Sequence, residues 1–181
     1  ASMNLILELL EETKYCMGDE KSLTGILEAG GIFFGLTSIK VVSGGGRLDY
    51  IWCADKKDYE DAKALPLKVG FLERLSDYSQ IFVGEQQDDA VKEEILADYA
   101  VQSAVVIPLY HIGQVCACVL FEDNSKRRIF LEEELDAMKG IASVLSSVLS
   151  QRLAQEQSQY LKGIRNVLSK FGVSIDRTAL K

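Results

Sequence analysis

Apolar residues recur at helical spacing towards both ends of the chain and at strand spacing between them. Met3 to Lys14 carries Leu5, Ile6, Leu9 and Leu10 with Glu8, Glu11 and Glu12 interleaved, which predicts an amphipathic helix. Gly18-Asp19 interrupts it. Ser22 is placed to cap a second helix containing Leu23, Ile26 and Leu27, expected to end at Gly30-Gly31. Leu36 to Val42 is a short run rich in β-branched residues, Ser43-Gly44-Gly45-Gly46 supplies a turn, and Leu48 to Cys53 returns, which together read as a hairpin.

From Ala54 to Ala100 the pattern loosens. A short helix over Phe71–Leu75, a strand over Gln80–Val83 and a surface helix from Asp88-Asp89 to about Tyr99, with Val91, Ile95 and Leu96 on its apolar side, are predicted there. Ser103 to Tyr110 and Val115 to Phe121 are apolar at nearly every position, as in strands covered on both faces, and His111-Ile112-Gly113-Gln114 joins them. Pro108 favours an edge, a bulge or a strand end, because it lacks an N–H for the ladder. Glu122-Asp123-Asn124-Ser125 reads as the turn that follows. Leu131 to Leu153 places Leu135, Met138, Ile141, Ala142, Leu145, Val148 and Leu149 on one side of a long helix. Gln151 to Lys170 continues it as a polar helix with Tyr160, Leu161, Ile164, Val167, Leu168 and Phe171 on a drifting stripe, the form of a signalling coiled coil or linker. The expected division is an N-terminal helix over 1–20, a folded domain over 21–153 and a C-terminal helix over 154–181.

Composition narrows the function classes. A chain of 181 residues suits one core, which commonly serves about 100–200 residues. The net charge of −7 argues against direct nucleic-acid binding, which needs Lys and Arg to neutralise phosphates. Lys56-Lys57 and Lys126-Arg127-Arg128 are the basic clusters, and each reads as a solvated loop. Cys16, Cys53, Cys116 and Cys118 are too few for a disulfide framework, so a reducing, cytoplasmic setting is expected. No apolar run approaches the roughly 20 residues that span a bilayer. Ala1-Ser2 ahead of Met3 reads as an appended remnant, and the end at Thr178-Ala179-Leu180-Lys181 has no terminating feature, so an excised piece of a longer protein is expected. The triple glycine is not a phosphate loop, because Arg47 to Trp52 opens a strand where such a loop needs Gly-Lys-Ser/Thr opening a helix.

Ser103-x-x-x-Ile107-Pro108-Leu109-x-x-x-Gly113-x-Val115-x-Ala117-x-Val119-x-Phe121, followed by Phe130-x-x-Glu133-Glu134-Leu135, resembles the GAF domain, with the PAS domain as the related alternative. Ala117 stands at the usual glycine. Leu131 stands where a Ser or Thr usually caps the helix, so the start is expected to fray or to borrow Asn124 or Ser125. The resemblance implies an α+β fold. In it, a central antiparallel sheet of about five or six strands has the N- and C-terminal helices packed on one face. A ligand pocket lies between the other face and the segment 54–100. It also implies a regulatory sensor in a larger signalling or transcription-control protein. Such a sensor binds a small molecule, dimerises through its terminal helices and passes the signal to a C-terminal output domain.

The candidate lining of that pocket is Tyr50, Trp52, Phe71, Phe82 and Tyr110, whose rings can stack on a planar ligand, with Arg74 and Asp77 supplying charge. No cofactor is named by the sequence. Asn124, Lys126, Phe130 and Glu134 echo the signature of cyclic-nucleotide-binding relatives, in which it braces the fold. Bilin-binding relatives pair a cysteine with a histidine, and here His111, the one histidine, has no cysteine beside it. Cys53 reads as a small core residue. Cys116 and Cys118 alternate along a strand, which places both sulfurs on one face. Two alternatives remain. One is a ligand-free GAF dimerisation or interaction module, its pocket filled by its own aromatic residues. The other is free methionine-(R)-sulfoxide reductase, a GAF enzyme whose cysteine nucleophiles lie in the segment that here contains none.

Overall fold

The computed structural model describes residues 20–63, 67–86, 94–95 and 101–172. The expected helix over 3–14 and most of that over 88–99 lie outside the described residues. The elements in order are α1 (Glu20–Phe34), β1 (Ser38–Ser43), β2 (Arg47–Cys53), a single turn α2 (Tyr59–Ala62), α3 (Phe71–Leu75), β3 (Ile81–Val83), β4 (Ser103–His111), β5 (Gln114–Asp123) and α4 (Glu132–Lys170). The strands form one antiparallel sheet in the order β2-β1-β5-β4-β3. This is the α+β arrangement expected.

Alternation along the strands sorts their side chains into two cores. Ile39 and Val41 of β1, Val105, Ile107 and Leu109 of β4, and Ala117, Val119 and Phe121 of β5 face α1 and α4, where Leu23, Ile26, Leu27, Met138, Ile141, Leu145 and Leu149 meet them. Val42, Ala104, Val106, Cys118, Leu120, Ile81 and Val83 face the other way, beneath Phe71 and Leu75 of α3 and Ile95. Ile95 is fully buried; Val91 and Leu96, expected on the same side, lie outside the described residues.

Several local expectations change. α1 runs through Gly30-Gly31 and ends three residues later in a Schellman motif, with Gly35 at φ 65°, its N–H donated to the Ile32 carbonyl at 3.2 Å, and the Leu36 N–H donated to the Gly31 carbonyl at 2.9 Å. Ser22 therefore lies inside the helix. The glycine pair serves packing: a Cβ on Gly31 would stand 2.1 Å from the Trp52 ring, and one on Gly30 would stand 3.0 Å from Ile141. Glu122 and Asp123 are not a turn. They end β5, and both are buried.

Neither Asn124 nor Ser125 caps α4. The Leu131 N–H donates to Glu134 Oε1 at 3.1 Å, and three glutamates in the first turn complement the helix dipole. Cys116 and Cys118 face opposite sides of the sheet, because β5 has one extra residue against β4 where Leu109 pairs with Ala117 and Tyr110 with Val115. Pro108 sits beyond Val106, the last residue of β4 that β3 pairs, so its missing donor falls where β4 has become an edge. The β4–β5 link is a two-residue turn with Ile112 at φ 50° and Gly113 at φ 71°. α4 is continuous over 39 residues, about 58 Å, and among its residues burial ends at Leu149.

Candidate functional site

The sheet face turned away from α1 and α4 is apolar except at its β1–β5 end. Ser38 and Lys40 have the same parity as Val42, and Glu122 the same parity as Leu120 and Cys118, so all three polar side chains point to that face. Lys40 Nζ stands 3.1 Å from Glu122 Oε1, and Ser38 Oγ donates to Glu122 Oε2 at 2.6 Å. The Lys40 and Glu122 side chains are 4% and 2% exposed, so the pair is desolvated. Desolvating two charges costs several kcal/mol per ion before their attraction is counted, and apolar replacements of similar volume are often as stable. Stability alone therefore does not call for the pair. Cys53, opposite Ser38 across the β1–β2 ladder, faces the same side; burial raises its thiol pKa, Lys40 lowers it, and Glu122 and Asp58 add to the rise.

The cluster places one buried cation and one buried anion on adjacent strands, each engaged by protein partners. A ligand carboxylate or phosphate can exchange with Glu122 on Lys40, and a ligand amine or amide can take up Glu122. Burial also raises the thiols of Cys116 and Cys118. Among the described residues no group of three His, Cys, Asp or Glu side chains is arranged to hold a metal ion.

The seven residues expected to line one pocket are dispersed. Tyr50 pairs with Val41 and Trp52 with Ile39, so both face the helices. Tyr50 Oη is 3.3 Å from Arg152 Nη1, and Trp52 packs on Gly31 beside an open cleft of about 540 Å³ that Glu28 and Lys56 also border. Phe82, opposite Val105, also packs on the helix side. Phe71 alone of the aromatic set is buried on the other face. Arg74 braces a loop, donating to the Val69 carbonyl at 2.6 Å and to the Glu94 carbonyl, while Asp77 is exposed. Tyr110 is exposed at the hairpin end, its N–H donating to Ser146 Oγ at 3.2 Å and its carbonyl accepting from Ser150 Oγ at 3.4 Å.

Ser38, Lys40 and Glu122 were not among the expected site residues. A signal for them existed: Lys40 is the one charge inside Ile39-Lys40-Val41-Val42, and Glu122 is the first charge after an unbroken apolar run.

Two further polar groups connect the sheet to α4. Arg128 donates to the Phe34 carbonyl at 2.6 Å, pairs with Glu134 at 2.9 Å and with the buried Asp123 at 3.5 Å, and lies 4.6 Å over the Phe130 ring, while its N–H donates to Ser103 Oγ at 2.8 Å. Of Asn124, Lys126, Phe130 and Glu134, whose spacing echoes the nucleotide-binding relatives, the Phe130 ring and the Glu134 carboxylate meet the Arg128 guanidinium. Where α4 leaves the core, Arg152 Nη2 stands 3.3 Å from Asp49 Oδ1, and Arg47 reaches the same oxygen at 3.0 Å. Asp49 is the extra residue of a bulge between Leu48 and Tyr50, which accounts for its departure from the strand's alternation.

No protein-family model and no curated protein matches the sequence. Solved structures do match. The phycocyanobilin-bound GAF domain from a cyanobacterial phytochrome is similar at a TM-score of 0.58 and 15% identity, over 83% of this chain and 94% of that one. The GAF domain from Acinetobacter phosphoenolpyruvate-protein phosphotransferase is similar at 0.59 and 12%, over 84% and 94%. The GAF domain of a protein described as a sensor histidine kinase from Pseudomonas syringae pv. tomato is similar at 0.58 and 11%, over 88% and 92%. At these identities the likeness is one of architecture, and the five-stranded antiparallel sheet with its flanking helices has the GAF fold.

Proposed function

We propose that the chain is a sensory regulatory domain that holds a small molecule on the sheet face bearing Ser38, Lys40 and Glu122 and transmits its presence through α4. The observation that carries this reading is the desolvated Lys40–Glu122 pair on a face where apolar side chains would fold as well. The company of the fold supports it: one similar structure is bound to phycocyanobilin, and others come from a phosphotransferase and a sensor kinase. The role is non-catalytic, in keeping with thiols that burial holds protonated at neutral pH. A reducing, cytoplasmic setting is part of the proposal, on the small number of cysteines. Among the described residues no helix is long and apolar enough to cross a membrane.

Transmission works by differential affinity. A ligand that holds Lys40 or Glu122 differently in two arrangements of the terminal helices shifts their populations by that difference and no more. The Asp49–Arg152 pair ties β2 to the point where α4 leaves the core, on the way to dimer partner and output domain. A second reading, a ligand-free interaction module, is favoured by Phe71, Leu75 and Ile95, which fill much of the same face. A thermal-shift screen of charged metabolites separates the two. The sensor reading expects a compound that raises the Tm of the native chain and leaves Lys40→Met/Glu122→Leu unmoved. Equal shifts in both proteins, or none in either, would leave the interaction module.

A further inference from the structure

The outer half of α4 is apolar along one side and open to solvent. Burial along α4 ends at Leu149, yet Tyr160, Val167 and Phe171 beyond that point are 71%, 55% and 78% exposed. With Ile164 and Leu168, Tyr160 and Val167 border a groove of about 450 Å³ whose hollow is at Gly163. An amphipathic helix gains most of its stability by packing such a side against a partner. A glycine in mid-helix weakens it relative to alanine, and lets a second backbone come close.

Charge says what the partner is. Seven residues make nearly two helical turns, so Glu156 and Lys170, seven residues before and after Gly163, share its side of α4 beside Tyr160 and Val167. Lys162 and Arg165 lie off that side. Glu156 Oε1 is 3.6 Å from Arg152, which leaves Oε2 for another cation. A second α4 laid antiparallel and centred on Gly163 sets Glu156 of each copy level with Lys170 of the other, two attractive pairs about 10 Å to either side of the glycines. The parallel alternative sets Glu156 level with Glu156 and Lys170 level with Lys170. Length agrees with the antiparallel course. Tyr160 of each copy meets Ile164 and Val167 of the other, and Phe171 comes level with about residue 155, so α4 ends just short of the other copy's folded domain.

We infer that the groove is filled by the same groove of a second copy, the two α4 helices crossing antiparallel at Gly163 with each Glu156 paired to Lys170 of the other chain. The inference rests on the dimer of the proposed sensor, whose contact it names, and not on what the sheet face binds. Sedimentation of the native chain is expected to give a dimer, and carbodiimide treatment to join Glu156 to Lys170. Within one chain those residues stand about 21 Å apart along α4, so a zero-length bond between them links two copies. Glu156→Lys and Lys170→Glu, each of which makes both pairs repel, are expected to weaken self-association about tenfold, and an equal mixture of the two variants to regain the native strength. A dimer that lacks the bond, or that neither substitution weakens, overturns the antiparallel crossing and leaves the dimeric sensor standing. A monomer overturns the crossing and the dimer together.

Discussion

The two faces of one sheet are built to different rules. On the side of α1 and α4 the strands contribute Ile39, Val41, Val105, Ile107, Leu109, Val119 and Phe121, the helices answer with Leu23, Ile26, Met138, Ile141 and Leu145, and this central core is apolar. On the other side an apolar patch of similar residues gives way to Ser38, Lys40 and Glu122 within the same strands. Strands do not require that asymmetry, because one-residue alternation places any side chain on either face. Each face thus has a buried polar group at one end, Asp123 with Arg128 on the helix side and Lys40 with Glu122 on the other, and the second is the one expected to be dispensable for folding.

The contrast is open to direct attack. The largest effect is expected from Phe121→Ala, which removes a fully buried ring packed edge-on against Phe34 at 6.5 Å and costs about 4 kcal/mol in denaturant unfolding. Lys40→Met comes next at about 3 kcal/mol, because it strands a buried carboxylate. Its companion sharpens the comparison: Ser38→Ala/Lys40→Met/Glu122→Leu, which removes the cluster whole, is expected within about 1 kcal/mol of the parent. A triple variant as unstable as Lys40→Met would mean that the cluster is part of the folding core and that the two faces do not differ. Gly31→Ala is expected to cost about 2 kcal/mol and to shift the emission of Trp52, the only tryptophan, since the new methyl must displace its ring. Val167→Asp, far out on α4, is expected to change domain stability by less than about 0.5 kcal/mol.

The same contrast explains what was legible in the sequence. The helix-side face was readable because its pattern is periodic. Leu135 to Leu149 fixes α4, the paired runs around His111-Ile112-Gly113-Gln114 fix the β4–β5 hairpin, and Phe71–Leu75 matches α3 end to end. Periodicity also assigned Glu122 and Asp123 to a turn, because two adjacent carboxylates normally mark solvent; their burial goes with Lys40, distant in sequence, and with Arg128, five residues beyond Asp123. A bulge defeated one other reading: one extra residue in β5 separates Cys116 from Cys118. A second bulge, in β2, places Asp49 where Arg152 can reach it. The aromatic residues expected to form a pocket were chosen by type. Type does not determine face, and Tyr50, Trp52 and Phe82 fell on the helix side by register.

Native mass spectrometry of the freshly purified chain beside the Ser38→Ala/Lys40→Met/Glu122→Leu variant tests the central claim most directly. If one face folds and the other binds, the parent carries the added mass of a small molecule and the equally folded variant does not. The same added mass on both proteins, or none on either, would contradict it.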